Sequence, residues 1–541
     1  MDLLPSAHVD TFARDHLPPR DQWPELAFEL PALHYPDRLN CAAELLAGGS
    51  PGAPCLRTPG GEVWSYEDLN ATAARIAHVL ADDLGVRPGN RVLLRGPTTP
   101  WLVACWFAVL KAGAVAVTVL AAQRSGELAT ICDIAAVRHA LCDLRSVDDL
   151  AKAEIPDLRI TTYGGEAPED LLRRAAAKPD HFSDVATSSD DVALIAFTSG
   201  TTGRPKGCMH FHRDVLAIAD TFSAEVLRPR ADDVFAGSPP LGFTFGLGGL
   251  VIFPMRAGAS SVLLEQAGPE QLLAAVARHR VSVLFTAPTA YRAMLGHLND
   301  GSDADSATYD VSSLRRCVSA GENLPAATWQ AWHDRTGLRI INGIGATELL
   351  HIFISAADDA IRPGTTGLPV PGYRARIVDA AGEPVPDGEP GLLAVRGPTG
   401  CRYLADERQT VYVQGGWNLT GDTYVREPDG YFRYVARADD MIISAGYNIA
   451  GPEVEEALLR HPDVSEAAVI GVPDEERGQI VRAFVVLRDG VPRGTATVGA
   501  LRDFAKGVIV PYKCPRDIVF LDALPRTPTG KLQRFRLRDL E

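Results

Sequence analysis

Residues 196–207 read AFTSGTTGRPKG. Three glycines let the backbone turn its amides inward, the hydroxyls of Thr198, Ser199, Thr201 and Thr202 add donors, and Lys206 adds a point charge. Gly200 and Gly203 sit inside that run. The set suits a polyanion such as a polyphosphate, and it follows the apolar run DVALIAF, as a loop follows a buried strand. The order differs from the GxxxxGK[ST] of P-loop nucleotidases, because Gly207 rather than a hydroxyl residue follows Lys206. A flexible surface loop has the same composition, so this stretch alone leaves both readings open.

Further residues of chemical type stand far along the chain. Glu348 follows a glycine turn in INGIGATELLHIF (341–353), and Asp422 lies in NLTGDTYV (418–425). Arg437 and Asp439 fall in ARADDMIISAGYNI (436–449), and Lys531 in LPRTPTGKLQR (524–534), flanked by Pro525, Pro528 and Gly530. Each has an ordinary reading: a solvated charge, a turn residue, a surface ion pair, a solubilising lysine. In MHFHRD (209–214) two histidines stand two apart with no third ligand at zinc spacing, and the segment reads as the start of a helix.

The elements that must position these residues follow from composition. A chain of 541 residues exceeds what one core serves, so two or more domains are expected. A formal charge of −15 disfavours nucleic-acid binding, which needs a basic face, and leaves small-molecule chemistry as the default. Nine scattered cysteines without metal spacing, and no secretory signal, fit a cytoplasmic protein with reduced thiols. The apolar stretch 100–123 is interrupted by Lys111 and Gly113 and reads as a buried helix followed by a buried strand, so no membrane segment is expected.

Apolar runs such as RVLLRG, AVAVTVL, VALIAFT, SVLLE and VSVLFTAP alternate with helical patterns, which predicts a large α/β body of mostly parallel sheets. From about residue 370 short strands between Pro/Gly turns predict an antiparallel β subdomain running to 437. Residues 438–541 have their own helix and strand pattern, including PEVEEALLRH with Pro452 at its start. A domain boundary is expected at 437/438, with 1–437 as the large unit and a small α+β unit beyond a charged hinge.

In this order the glycine-rich loop and the four later motifs resemble the adenylate-forming superfamily, which includes acyl-CoA synthetases, peptide-synthetase adenylation domains and beetle luciferases. The resemblance spans nearly the whole chain. Longer strings, among them PPLGFTFGLGG, VLFTAPTAYRAM, CVSAGENLP, GPTGCRYLADERQ and DDMIISAGYNIAGPEVE, look like the benzoate-CoA ligase branch, and most like its 2-aminobenzoate-CoA (anthranilate-CoA) ligases.

The resemblance implies a two-step reaction using ATP, Mg²⁺ and coenzyme A. An aromatic carboxylate is adenylated, then passed to a thiol. Benzoate or salicylate is an alternative acid, and a carrier protein's phosphopantetheine an alternative acceptor. It assigns Thr198, Ser199, Gly200, Thr201, Thr202, Gly203 and Lys206 to phosphate binding, Thr201 and Glu348 to the metal, and Lys531 to catalysis. Gly321, Glu322, Asn323, Asn342, Gly343, Ile344, Gly345 and Thr347 would line the adenine, and Asp422 and Arg437 the ribose. Asp439 would be the hinge. Phe243, Thr244, Phe245, Gly248, Ile344 and His351 would form the acyl pocket, with His212 near it. His351 would hydrogen-bond the substrate or be a satisfied histidine on a buried helix. Ser444, Ala445, Gly446 and Tyr447 would line the CoA channel once the small, mobile domain turns.

Overall fold

The computed structural model describes residues 3–198, 204–298, 309–444, 447–474, 477–526 and 532–540, excluding the side chains of Asp439 and Asn448. A six-stranded sheet orders the strands Arg159–Tyr163, His139–Asp143, Arg91–Arg95, Val115–Thr118, Val192–Thr198 and Lys206–Phe211. All neighbours are parallel except the last pair. Every residue of Arg91–Arg95 is buried, as a parallel strand covered on both faces requires.

A second sheet has nine strands, parallel from Ile340–Gly345 across to Pro54–Arg57 and antiparallel at both edges. The runs read as strands in the sequence are strands of these two sheets. Stretch 100–123 is the helix Pro100–Lys111, capped by the Thr99 hydroxyl, and the strand Val115–Thr118. All of that helix except Trp101 is buried, and the Lys111 ammonium is held by Asp184 at 2.7 Å. No helix among the described residues is long and apolar enough to cross a membrane.

An antiparallel five-stranded sheet occupies residues 374–437. Its last strand, Phe432–Arg437, runs into a single turn, Ala438–Asp440. Beyond lies another five-stranded sheet, with helices Gly451–Leu459 and Thr495–Val508 and apolar cores drawn only from residues 442–537. Pro452 does stand in the first turn of the former helix.

One buried ion pair joins the site's elements. Arg402 and Asp214 are both fully buried and in contact, with the guanidinium 4.0 Å over the Phe211 ring. Asp214 sits in the helix that follows the strand Lys206–Phe211, so the pair fixes segment 397–409 against that strand. Breaking such a pair by removing one partner costs about 3–5 kcal/mol.

Candidate active site

The strands Val192–Thr198 and Lys206–Phe211 pair antiparallel with Thr198 opposite Lys206. The strands that flank the glycine loop are therefore neighbours at a sheet edge. Ser199, Gly200, Thr201, Thr202 and Gly203 lie outside the described residues. At its exit, Lys206 Nζ donates to Tyr403 Oη at 2.7 Å, and Tyr403 in turn donates to Glu348 Oε1 at 2.5 Å. The ammonium is 3.5 Å from the same carboxylate oxygen and 4.6 Å from the Tyr403 ring centre. Burial, reinforced by Glu348, pushes the Tyr403 hydroxyl far above its ordinary range, so it stays a donor. Arg408 grips the loop's exit by donating to the carbonyls of Arg204, at 3.1 Å, and Pro205.

Glu348 is buried in the short turn Thr347–Leu349, yet it lines the cleft. His210 Nε2 donates to the Thr347 carbonyl at 2.8 Å and holds that turn from behind. Burial, with Arg402 adding to it, lowers the His210 pKa to about 3, so the ring is neutral.

The cleft is also lined by Asp422 and Arg437, directly paired across neighbouring strands. Arg437 Nη1 donates to Asp422 Oδ1 and to the Thr420 carbonyl, each at 3.2 Å. Gly321, Glu322, Asn323, Asn342, Gly343, Ile344, Gly345 and Thr347 line the same cleft. A Cβ on Gly345 would lie 2.7 Å from the His351 carbonyl oxygen, so only glycine allows the two backbones to approach there. Glu322 lines the cleft, but its carboxylate accepts from Arg526 Nη1 at 2.8 Å.

The residues expected in the acyl pocket divide. Phe243 and Ile344 line the cleft, whereas Thr244, Phe245, Gly248 and His351 are packed outside its lining. His351 follows the turn and precedes the strand Ile352–Ser355, so it is on no helix. Its ring lies 4.5 Å from Phe253 and 5.5 Å from Phe245. Nε2 is 3.4 Å from the Phe245 carbonyl oxygen, and Nδ1 has no partner among the described residues. Burial lowers its pKa to about 3. His212 is not at the cleft: its ring is fully buried, with Nδ1 accepting from the Cys41 amide at 3.2 Å.

Two further expected residues do not line the cleft. Ser444 is buried in its strand, and Tyr447, 54% exposed, stacks on Tyr512 at 4.5 Å. Ala445, Gly446 and Lys531 lie outside the described residues, as does the side chain of Asp439 in the turn Ala438–Asp440. The residues flanking the Lys531 segment, Arg526 and Leu532, pair with each other as an antiparallel bridge and both line the cleft.

Sequence reading missed Tyr403, Arg408, Arg292 and Arg526 as site residues. All four lie inside strings quoted above, but nothing local marks a tyrosine or arginine there as a site residue, and only the packing of segment 397–409 against the strands Val192–Thr198 and Lys206–Phe211 shows what Tyr403 and Arg408 do.

With this geometry the chain matches the AMP-binding enzyme family over residues 44–403 and the AMP-binding enzyme C-terminal domain over residues 453–531. It is 34% identical over 525 residues to a benzoate–CoA ligase of Thauera aromatica, covering 94% of this chain and 97% of that protein. It is 36% identical over 491 residues to a 4-hydroxybenzoate–CoA/benzoate–CoA ligase of Rhodopseudomonas palustris, covering 88% and 89%. Among solved structures, the anthranilate CoA ligase AuaEII in complex with anthranoyl-AMP superposes with a TM-score of 0.89 at 34% identity, covering 94% of this chain and 98% of that one. A benzoate CoA ligase from Burkholderia xenovorans LB400 gives 0.84 at 32% identity, covering 92% and 100%.

The chain belongs to the AMP-binding enzymes, and its architecture is the adenylate-forming fold. Within them it is an acid–thiol ligase of the benzoate-CoA ligase branch.

Proposed function

We propose that the protein is an ATP-dependent aryl-CoA ligase whose acid is 2-aminobenzoate. The observation that carries the reading is the convergence on one cleft of the Lys206–Tyr403–Glu348 chain, the Asp422–Arg437 pair and the flanks of the Lys531 segment. The likeness to an anthranilate CoA ligase holding anthranoyl-AMP supports the choice of acid.

An aromatic carboxylic acid, with a pKa of roughly 4, is already ionised at neutral pH, so adenylation requires no general base. The difficulty is repulsion between an anionic nucleophile and a polyanionic electrophile, and the remedy is fixed positive charge and donors. A carboxylate oxygen attacks the α-phosphorus and pyrophosphate leaves. The coenzyme A thiol then attacks the acyl carbon, and AMP departs with that oxygen.

In this reading Lys206 and the loop hydroxyls bind the β- and γ-phosphates while Arg408 steadies the loop. Asp422 accepts from the ribose hydroxyls, Arg437 holds Asp422 in place, and Lys531 bridges the carboxylate and α-phosphate. Phe243 and Ile344 give the ring an apolar wall. Adenylation uses the arrangement described. For thiol attack the small domain turns about Asp439 and brings segment 444–447 to the cleft. The exposed Tyr447 face suits such an alternation.

Glu348 fits a magnesium ion. It is one cleft-facing carboxylate, and no group of three or more potential ligands occurs among the described residues, as suits an ion held mainly by phosphate oxygens. Glu348 and Thr201 would hold it, and when bound it neutralises phosphate charge.

The test is thioester formation, read by mass, with benzoate, salicylate, 2-, 3- and 4-aminobenzoate and a medium-chain fatty acid. 2-Aminobenzoate is expected to give the highest kcat/KM. Turnover of the fatty acid alone would overturn the aromatic assignment, and adenylate without thioester would point to a carrier protein as acceptor.

A further inference from the structure

Glu322 follows Gly321, which has a φ of +90°, in the turn after the strand Arg316–Ser319 of the large body. Its carboxylate reaches across to the small body. It accepts from Arg526 Nη1 at 2.8 Å and also from the backbone N–H of Leu532. Those two residues flank the segment that carries Lys531 and pair as an antiparallel bridge, with the Gln533 amide also donating to the Pro525 carbonyl at 2.9 Å. One carboxylate therefore holds both flanks of that segment. Arg526 is set up for this by Glu466, in the strand Val464–Asp474 of its own body, whose Oε2 accepts from Nη2 at 2.6 Å.

A second arginine crosses the same junction in the other direction. Arg292, on the helix Pro288–His297 of the large body, donates to the Ser465 carbonyl at 3.2 Å and to Thr328 Oγ1 at 3.3 Å. The residues Glu322, Arg292, Arg526 and Glu466 all line the cleft, and none belongs to an apolar core of either body. Burial raises the Glu322 carboxyl, and Arg526 opposes that shift. The Glu322–Arg526 contact exists only while the two bodies keep this relative orientation, whereas Arg526 keeps Glu466 within its own body.

We infer that Glu322 and Arg526 form a latch that positions the Lys531 segment for adenylation and opens before thiol attack. The inference rests on the two-step reading proposed above. Both are positioning residues, acting on the reaction through Lys531, and Glu322 serves the junction rather than the adenine ring. Charge-assisted hydrogen bonds of this length are the strong ones, and those from Nη1 to Glu322 and from Nη2 to Glu466 orient the Arg526 guanidinium.

The test separates the half-reactions in Arg526→Ala, Arg526→Lys and Glu322→Gln. Acid-dependent exchange of labelled pyrophosphate into ATP reports adenylation, and thioester formation from supplied 2-aminobenzoyl-adenylate and coenzyme A reports the second half. Arg526→Ala and Glu322→Gln are expected to lower the adenylation rate at least tenfold, with the KM for ATP within twofold. Thioester formation should stay within threefold, which also certifies folding. Arg526→Lys, keeping the charge, should fall between Arg526→Ala and the unaltered enzyme. Equal losses in both halves, no loss in either, or a rise confined to the KM for ATP would overturn the latch. An unaltered enzyme without acid-dependent exchange would instead overturn the functional reading on which the latch rests.

Discussion

At Tyr403 a single hydroxyl accepts from Lys206 and donates to Glu348, bridging a cation and an anion that themselves stand 3.5 Å apart. Tyr403→Phe removes both hydrogen bonds with little change in volume. A hydrogen bond to a charged group contributes about 1.5–3 kcal/mol, so kcat for adenylation should fall roughly 10- to 100-fold with Tm nearly unchanged. Retained kcat would show that the chain of contacts has no catalytic role. Gly248 sets a different limit. A Cβ there would stand 2.3 Å from His351 Cδ2, and that ring is hemmed in by Phe222, Phe245 and Phe253. Gly248→Ala should lower stability by about 1–3 kcal/mol through overpacking and raise the KM for the aromatic acid. Thermal unfolding and steady-state kinetics check both effects.

At the scale of elements, the strands flanking the glycine loop and segment 397–409 come together through the fully buried Arg402–Asp214 pair. Asp214→Asn leaves an unpaired buried guanidinium and should cost about 3–5 kcal/mol, whereas the double change Asp214→Leu with Arg402→Met should cost much less. Denaturant midpoints of the two variants decide this, and equal losses would contradict the ion-pair account. The strands here were legible in the sequence because parallel strands buried on both faces leave continuous apolar runs, as VALIAFT and RVLLRG do. Tyr403 and Arg408 were not, since their roles depend on contacts between segments some 200 residues apart. One of the two readings of His351 put it on a buried helix. The chain turns instead at Leu350, which has a φ of +71°, and enters a strand. Glu322 was read toward the adenine from its motif, and the carboxylate's reach across to Arg526 had no sequence signal.

At the scale of the whole molecule, three of the four buried histidines among the described residues set an acid limit. His210, His212 and His351 have pKa values lowered to about 3, in each case chiefly by burial. Below about pH 6.5 the unfolded chain takes up protons at these positions that the native state refuses until near pH 3. Their contribution is therefore fully present above pH 6.5 and is lost as pH falls, at up to about 1.4 kcal/mol per histidine per pH unit. Urea midpoints should drop between pH 7 and pH 5, and equal midpoints would contradict the buried, neutral assignment.

The account as a whole claims that a carboxylate oxygen of the aromatic acid attacks the α-phosphorus in this cleft. That claim is tested most directly with 2-aminobenzoate labelled with ¹⁸O in its carboxylate, supplied with ATP, Mg²⁺ and coenzyme A. One labelled oxygen should appear in the phosphate of AMP for each 2-aminobenzoyl-CoA formed. Thioester accompanied by ADP, or by label in inorganic phosphate with none in AMP, would contradict it.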